Sequence, residues 1–209
     1  MHYLKALVAL NKGEAKKGIY SVCSANEYVI LAAMESALAK HEHLLVEATA
    51  NQVNQFGGYT GMAPNDFFSF VQGLAARTGF PADRLILGGD HLGPLTWAKE
   101  PEAGAMKKAE ELTRLFAAAG FGKIHIDTSM HLADDDASAA LPNETVAKRG
   151  ARLAKAAESG FDEYAKASPD AQRPVYIVGS EVPIPGGARE TESGVSVTKP
   201  EDFAATVAA

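Results

Sequence analysis

Asp90 and His91 are adjacent titratable residues at the end of an apolar run. They lie in the stretch LILGGDHLGP (residues 85–94), directly after three apolar residues and two glycines. Such a run is typical of a buried strand, whereas a carboxylate and an imidazole are costly to bury unless other groups satisfy them. Two interpretations are open. Either Asp90 caps the next turn by accepting backbone N–H bonds, or the strand carries catalytic groups to its open end.

Other acidic residues occupy equivalent places along the chain. Each of four predicted strands ends near one acid, and these acids are Glu47, Asp90, Asp127 and Glu181. Carboxylates at such places can ligate a metal ion, bind sugar hydroxyls or act as a base. The alternative for each is a salt bridge inside the mouth of the fold.

These acids are positioned by predicted strands that alternate with predicted helices. The amphipathic segment YLKALVAL, ended by Gly13, comes first and predicts a helix. The predicted strands span 19–25, 44–49, 85–91, 123–129 and 175–182, and the helices after them span 26–40, 64–79, 102–120, 143–160 and a segment from about Pro200. Short apolar strands that alternate with helices indicate a parallel sheet covered by helices.

Two fold classes fit this alternation, the doubly wound sheet and the (β/α)8 barrel. A barrel gathers residues from several strand ends into one site. A doubly wound sheet opens with a GxGxxG fingerprint, but SVCSANEY stands at that place. We therefore predict an α/β fold of the (β/α)8 TIM-barrel type. Because eight units need about 250 residues, we expect residues 1–209 to be the N-terminal part of a single barrel domain, carrying about the first five βα units.

Composition narrows the possible functions. The formal net charge of −6 is spread without an acidic block, which argues against nucleic acid as a partner. No stretch of the sequence is long and apolar enough to predict a membrane span. Cys23 is the single cysteine, so no intramolecular disulfide can form and a cytoplasmic location fits. We interpret Cys23 as a small buried hydrophobe.

Several motifs together resemble one protein family. SVCSAN, VEATANQVNQFGGYTGM, ILGGDHLGP, KIHIDTSM and GSEVPIPGG are similar to the accessory Z-type (GatZ/KbaZ-like) subunits of tagatose-bisphosphate aldolase, over nearly the whole chain. The resemblance implies a barrel related to class II, zinc-dependent aldolases. Some members of the family carry the label tagatose-6-phosphate kinase. This sequence has neither a GxxxxGK[ST] loop nor the kinase signature residues, so its motifs do not support that label.

The resemblance also implies chemical functions for the Asp-His pair. In the catalytic subunits of class II aldolases, this pair supplies a proton-transfer carboxylate and the first zinc ligand, which match Asp90 and His91. Zinc would act as a Lewis acid on an enediolate formed beside a carbonyl. We add Glu47 and Asp127 as candidate metal ligands and Glu181 as a second candidate catalytic carboxylate. Two further zinc histidines of the catalytic subunits lie on later strands.

Two functions remain open. The family implies a non-catalytic subunit that stabilises the separate catalytic Y-type subunit during breakdown of tagatose 6-phosphate, galactitol and N-acetylgalactosamine. The strand-end acids favour the alternative, a metal-dependent lyase or epimerase that acts by itself on a ketose phosphate.

The loop ANQVNQFGGYTGM (50–62) is the candidate substrate-binding segment. Asn51, Asn54 and Gln55 suit sugar hydroxyls, and Gly57 with Gly58 would let backbone N–H groups approach a phosphate. Alternatively, the same residues brace a long turn.

Three further features receive structural interpretations. His125 lies on a predicted strand, where a lone histidine is more often a hydrogen-bonded core residue than a ligand, so we leave it out of the expected site. The run ADDD (133–136) is interpreted as a solvated turn. Arg189, in the Gly-rich loop 186–194, is interpreted as a solvated surface residue.

Overall fold

A parallel sheet with helices packed against it forms the described part of the chain. The computed structural model describes residues 2–14, 16–178 and 199–208. Within them the strands are β1 Ser21–Cys23, β2 Leu44–Thr49, β3 Leu85–Leu92, β4 Lys123–Ile126 and β5 Val175–Val178. The helices are α1 Tyr3–Asn11, α2 Glu27–Ala39, α3 Pro64–Thr78, α4 Glu102–Ala118, α5 Asn143–Ala167 and α6 Pro200–Ala208. The predicted α/β alternation of five strands with helices is confirmed.

The strands follow one another in space as they do along the chain. The sheet order is β1-β2-β3-β4-β5, and every neighbouring pair is parallel. A doubly wound sheet instead reverses its strand order at a switch point. No such reversal occurs among the described strands, and consecutive order is the arrangement found in a barrel.

The apolar core lies between one face of the sheet and the helices. On β4, Ile124 and Ile126 point to this side and are almost fully buried, and Val46 on β2 is buried in the same layer. Phe67 from α3 and Phe116 from α4 pack against this layer. Removing such side chains from water stabilises the fold by about 25 cal/mol per Å² of apolar surface. Because side chains alternate along a strand, the residues between them lie on the opposite face of the sheet. We call that opposite face the polar face.

Helix α5 is longer than the sequence pattern indicates. The pattern predicts its end at Gly160, but the helix runs through that glycine to Ala167. A Cβ atom at Gly160 would lie 2.1 Å from the carbonyl oxygen of Arg114 in α4. This glycine therefore permits close helix packing, whereas Gly120, with φ of +86°, follows the end of α4 as predicted.

The interpretation of the ADDD run as a solvated turn is wrong for Asp135. Its side chain is 13% exposed, and it accepts two hydrogen bonds from the guanidinium of Arg149 on α5. Arg149 is 1% exposed and also donates to Glu102 at the start of α4. The run thus anchors the β4–α5 connection to both helices.

Two simpler findings complete the fold. Cys23 is exposed on β1, so its interpretation as a buried hydrophobe is wrong. Among the described helices, none has the combination of length and apolar character that crossing a membrane requires.

Candidate functional site

A bulge in β3 brings Asp90 and His91 to the polar face together. The pairing advances from Gly89↔Ile124 to Leu92↔Ile126, so β3 uses one more residue than β4 over this stretch. His91 takes a left-handed backbone conformation, with φ of +49°. In a regular strand, consecutive side chains point to opposite faces. The bulge cancels that alternation, as bulges near functional sites do.

Asp90, His91 and His125 form a compact group of potential metal ligands. One ligand atom from each lies within 4.8 Å of the other two. His125 Nδ1 is 2.9 Å from Asp90 Oδ1, and His91 Nδ1 is 3.2 Å from Asp90 Oδ2. The two imidazole rings lie 4.3 Å apart between centroids. We call these three residues the donor cluster.

His125 belongs to this site, although sequence reasoning left it out. It is buried and hydrogen-bonded, as interpreted, but its partner is Asp90 and it lies beside His91. A signal for this was present in the sequence. Lys123, His125 and Asp127 alternate with apolar residues, which places three polar side chains on one side of β4.

A buried ion pair lies beneath the donor cluster. Lys123 Nζ is 2.5 Å from Glu47 Oε1 and 3.6 Å from Asp90 Oδ1. Glu47 and Lys123 face each other across Gly88, which pairs with both in the sheet. A Cβ atom at Gly88 would lie 2.6 Å from Glu47 Oε1, so the glycine makes room for the pair. Sequence reasoning missed Lys123 as a site residue.

The cluster's neighbours decide its ionisation. Burial alone would raise the pKa of Asp90, but contacts with His125 and His91 and the charge of Lys123 hold it well below its ordinary value. Contact with the Asp90 carboxylate raises the pKa of His91, against the effect of partial burial, and the charge of Asp127 adds to the increase. Asp90 is therefore a carboxylate anion stabilised by surrounding donors.

The Cys23 thiol lies near the same carboxylate. Although the residue is exposed as a whole, partial burial of the sulfur, followed by the charge of Asp90, raises the pKa of the thiol to about 12. A thiol with so high a pKa is a poor nucleophile at neutral pH.

The remaining predicted site acids have different surroundings. Asp127 is buried at the end of β4, and its Oδ1 accepts hydrogen bonds from the amide and hydroxyl of Ser129. Its Oδ2 is buried and has no hydrogen-bond partner among the described residues. Glu47 is 2% exposed and forms an ion pair with Lys123, which matches the salt-bridge alternative. Glu181 and Arg189 lie outside the described residues.

The donor cluster fits a divalent metal ion such as zinc. Zinc is commonly bound by imidazole nitrogens and carboxylate oxygens. Both ring nitrogens of His91 are buried without a hydrogen-bond partner in the described part of the chain, since the approach of Nδ1 to Asp90 is close but poorly aligned. An unsatisfied buried imidazole is costly, and a metal ion would satisfy one of its nitrogens.

The loop between β2 and α3 is braced internally, as the alternative interpretation of its residues expects. Asn54 is 4% exposed, donates to Ala50 O and accepts from the amides of Phe56 and Gly58. The amide of Gly57 donates to Asn54 O, so neither glycine offers its N–H group to a phosphate. Substrate binding by Asn54, Gly57 and Gly58 stays a prediction, and these hydrogen bonds match the alternative in which the residues brace a long turn.

The two other predicted residues of this loop also contact protein groups. Gln55 Nε2 donates to the backbone oxygen of Lys108 in α4, while its Oε1 is buried without a partner in the described residues. Asn51 is exposed and accepts from the hydroxyl of Thr96. Asn51 is therefore the accessible amide of the expected set.

Comparison with known proteins assigns the family. Residues 4–209 match the family model described as "D-tagatose-1,6-bisphosphate aldolase subunit GatZ/KbaZ-like". This chain belongs to that family. The resemblance drawn from the motifs is therefore confirmed.

Curated relatives share much of the sequence. The chain is 49% identical over 204 residues to the D-tagatose-1,6-bisphosphate aldolase subunit GatZ of Klebsiella pneumoniae subsp. pneumoniae, and 49% identical over 204 residues to that of Salmonella typhimurium. Each match covers 98% of this chain and 47% of the relative. The chain thus spans about half the length of the curated relatives it matches.

A solved structure has the same fold. It is the crystal structure of a probable tagatose 6 phosphate kinase from Sinorhizobium meliloti 1021, with a TM-score of 0.75 and 45% sequence identity. The match covers 92% of this chain and 43% of that one.

Proposed function

We propose that this GatZ/KbaZ-like chain belongs to a non-catalytic accessory subunit of class II tagatose-1,6-bisphosphate aldolase. It would stabilise the catalytic Y-type subunit in the cytoplasm, during breakdown of tagatose 6-phosphate, galactitol and N-acetylgalactosamine. Relatives named as subunits of this aldolase support the proposal. The consecutive strand order supports a (β/α)8 barrel as its architecture.

The observation that carries the proposal is the environment of Asp90. A general base is most effective when its pKa lies near the working pH. The pKa of Asp90 is instead well below its ordinary value, because His125, His91 and Lys123 stabilise its charged form. The carboxylate best placed for proton transfer is therefore occupied by contacts with His125, His91 and Lys123, which favours an accessory function over intrinsic catalysis.

The test is to purify the protein alone and together with the Y-type subunit, and to assay aldol cleavage of tagatose 1,6-bisphosphate. The protein alone should give no cleavage, whereas its addition should raise the activity or the thermal half-life of the Y-type subunit. Asp90→Asn is the matched control, because stimulation by docking does not require this carboxylate. Cleavage by the protein alone, at a rate similar to that of the mixture, would contradict the proposal.

The donor cluster favours a second candidate, a metal-dependent lyase or epimerase acting on a ketose phosphate. Asp90, His91 and His125 would hold the ion, and the unpartnered nitrogens of His91 support this assignment. A zinc ion bound there would supply Lewis-acid stabilisation of charge that develops on a carbonyl oxygen. Calorimetric titration with zinc tests this candidate, since His91→Ala should then abolish a binding event that the unaltered protein shows.

A further inference from the structure

We propose that Lys123, restrained by Glu47, is a built-in cation that limits how tightly the donor cluster binds a divalent metal ion. The proposal rests on the metal-binding candidate function and concerns two residues outside the cluster. Lys123 is a positioning residue in this proposal, because it acts through Asp90.

The ammonium group of Lys123 is fixed and shielded from solvent. The side chain of Lys123 is 10% exposed and that of Glu47 is 2% exposed. The missing Cβ atom at Gly88 lets the pair meet directly above the backbone of β3. A charge so enclosed is screened little by water and salt, so it acts strongly on its neighbours.

The same ammonium group also faces the donor cluster. Lys123 Nζ lies 3.6 Å from Asp90 Oδ1, the oxygen that His125 Nδ1 contacts at 2.9 Å. A divalent ion that uses this carboxylate must therefore bind close to a fixed positive charge. The two cations repel each other and compete for one anion.

Glu47 determines how strong this competition is. It holds Lys123 Nζ at 2.5 Å, closer than the 3.6 Å that separates the ammonium from Asp90. Without the Glu47 charge, Asp90 would be the remaining anion beside Lys123, and the ammonium group would pair with it. Glu47 thus keeps Asp90 available to a metal ion without ligating the ion itself.

The experiment is calorimetric zinc titration of four proteins: the unaltered protein, Lys123→Met, Glu47→Gln and the double variant. Removing a cation at this distance should tighten zinc binding by roughly tenfold or more in Lys123→Met. Glu47→Gln should weaken it by a similar factor, and the double variant should bind like the unaltered protein because the local net charge is unchanged. Lys108→Met, which breaks the surface pair with Glu100, is the control and should change nothing.

Two readouts separate an effect of the Lys123 charge on zinc binding from a merely structural effect of the substitution. Lys123→Arg keeps the charge and should retain the affinity of the unaltered protein. The visible absorption spectrum of bound Co²⁺ should be the same in Lys123→Met as in the unaltered protein, since a changed spectrum would mean that Glu47 had become a ligand.

A folded Lys123→Met protein that binds zinc no more tightly than the unaltered protein overturns the inference. If Lys123→Met fails to fold, the comparison moves to the other two variants, where equal zinc affinity in Glu47→Gln and in the double variant overturns it. Absence of zinc binding in every protein also overturns it. That result would leave the accessory function intact, because stimulation of the Y-type subunit is measured separately.

Discussion

Gly160 in α5 lies directly against the backbone of Arg114 in α4, so that a Cβ atom there would be 2.1 Å from the Arg114 carbonyl oxygen. Gly160→Ala must therefore push the two helices apart. We expect the free energy of unfolding to fall by about 1–3 kcal/mol, the usual cost of overpacking, as measured by urea denaturation.

Gly73 offers a matched control for this substitution. It lies within α3, is exposed, and a Cβ atom added there would have no neighbouring atom within 4 Å. Gly73→Ala should stabilise the protein by about 0.5–1 kcal/mol, because alanine is the better helix former. Equal effects of the two substitutions would show that α4 and α5 do not pack as described.

The backbone of His91 gives a prediction that separates folding from binding. Its φ of +49° favours glycine and is costly for other residues. We expect His91→Gly to be about 1 kcal/mol more stable than His91→Ala, although both should lose zinc binding equally. Thermal melts and zinc titration of the two variants make the comparison. If the alanine variant is the more stable one, the bulge is not formed in solution.

Asp135 should make stability depend on pH in the acid range. The guanidinium of Arg149 lowers the pKa of this carboxyl below its ordinary value of 3.8. Its contribution is therefore fully present above that value and is lost as the pH falls through the lower, folded-state pKa. We expect Asp135→Asn to lower the free energy of unfolding at pH 7 by about 1–3 kcal/mol, and this deficit should shrink in acid below pH 4.

Urea denaturation at neutral and acid pH measures this deficit. Glu144→Gln serves as the control, because Glu144 pairs with Lys148 on an exposed helix surface and such pairs contribute little. A deficit for Asp135→Asn that does not change with pH would contradict the role of its charge.

Asn54 and Asn51 should differ in how much each contributes to stability. Asn54→Ala leaves the amides of Phe56 and Gly58 without their acceptor inside the loop. We expect a loss of about 2–3 kcal/mol, whereas exposed Asn51→Ala should change the melting temperature little. Thermal melts compare the two variants, and an unaltered melt of Asn54→Ala would indicate that the loop does not depend on this side chain.

The sequence predicts the elements of this fold better than the contacts among them. The strand over 44–49 is found with the predicted bounds, because a continuous apolar run is a local property. The end of α5 was misplaced because Gly160 suggests a helix end locally, while its function depends on a carbonyl 46 positions earlier in the chain, that of Arg114.

In the candidate site, too, local patterns can be recognised in the sequence, whereas contacts between distant residues cannot. Asp90 and His91 are recognisable because two polar residues end an apolar run. Lys123 was missed because its partner, Glu47, is 76 residues away in the sequence, and nothing local connects them. The sequence alone could not decide between binding and bracing for Asn54 and the two glycines, because the hydrogen bonds that occupy them form only when the loop closes.

The bulge in β3 makes the site depend on residue count as well as on residue identity. Between Gly89 and Leu92 the strand carries one residue more than its partner β4 requires. Deleting a single residue there would restore an unbroken ladder with β4. Because Asp90 and His91 are the two residues between Gly89 and Leu92, that deletion would remove one of them, so the bulge and the donor cluster would be lost together. In comparing relatives, an alignment gap in this stretch is therefore as informative as a substitution.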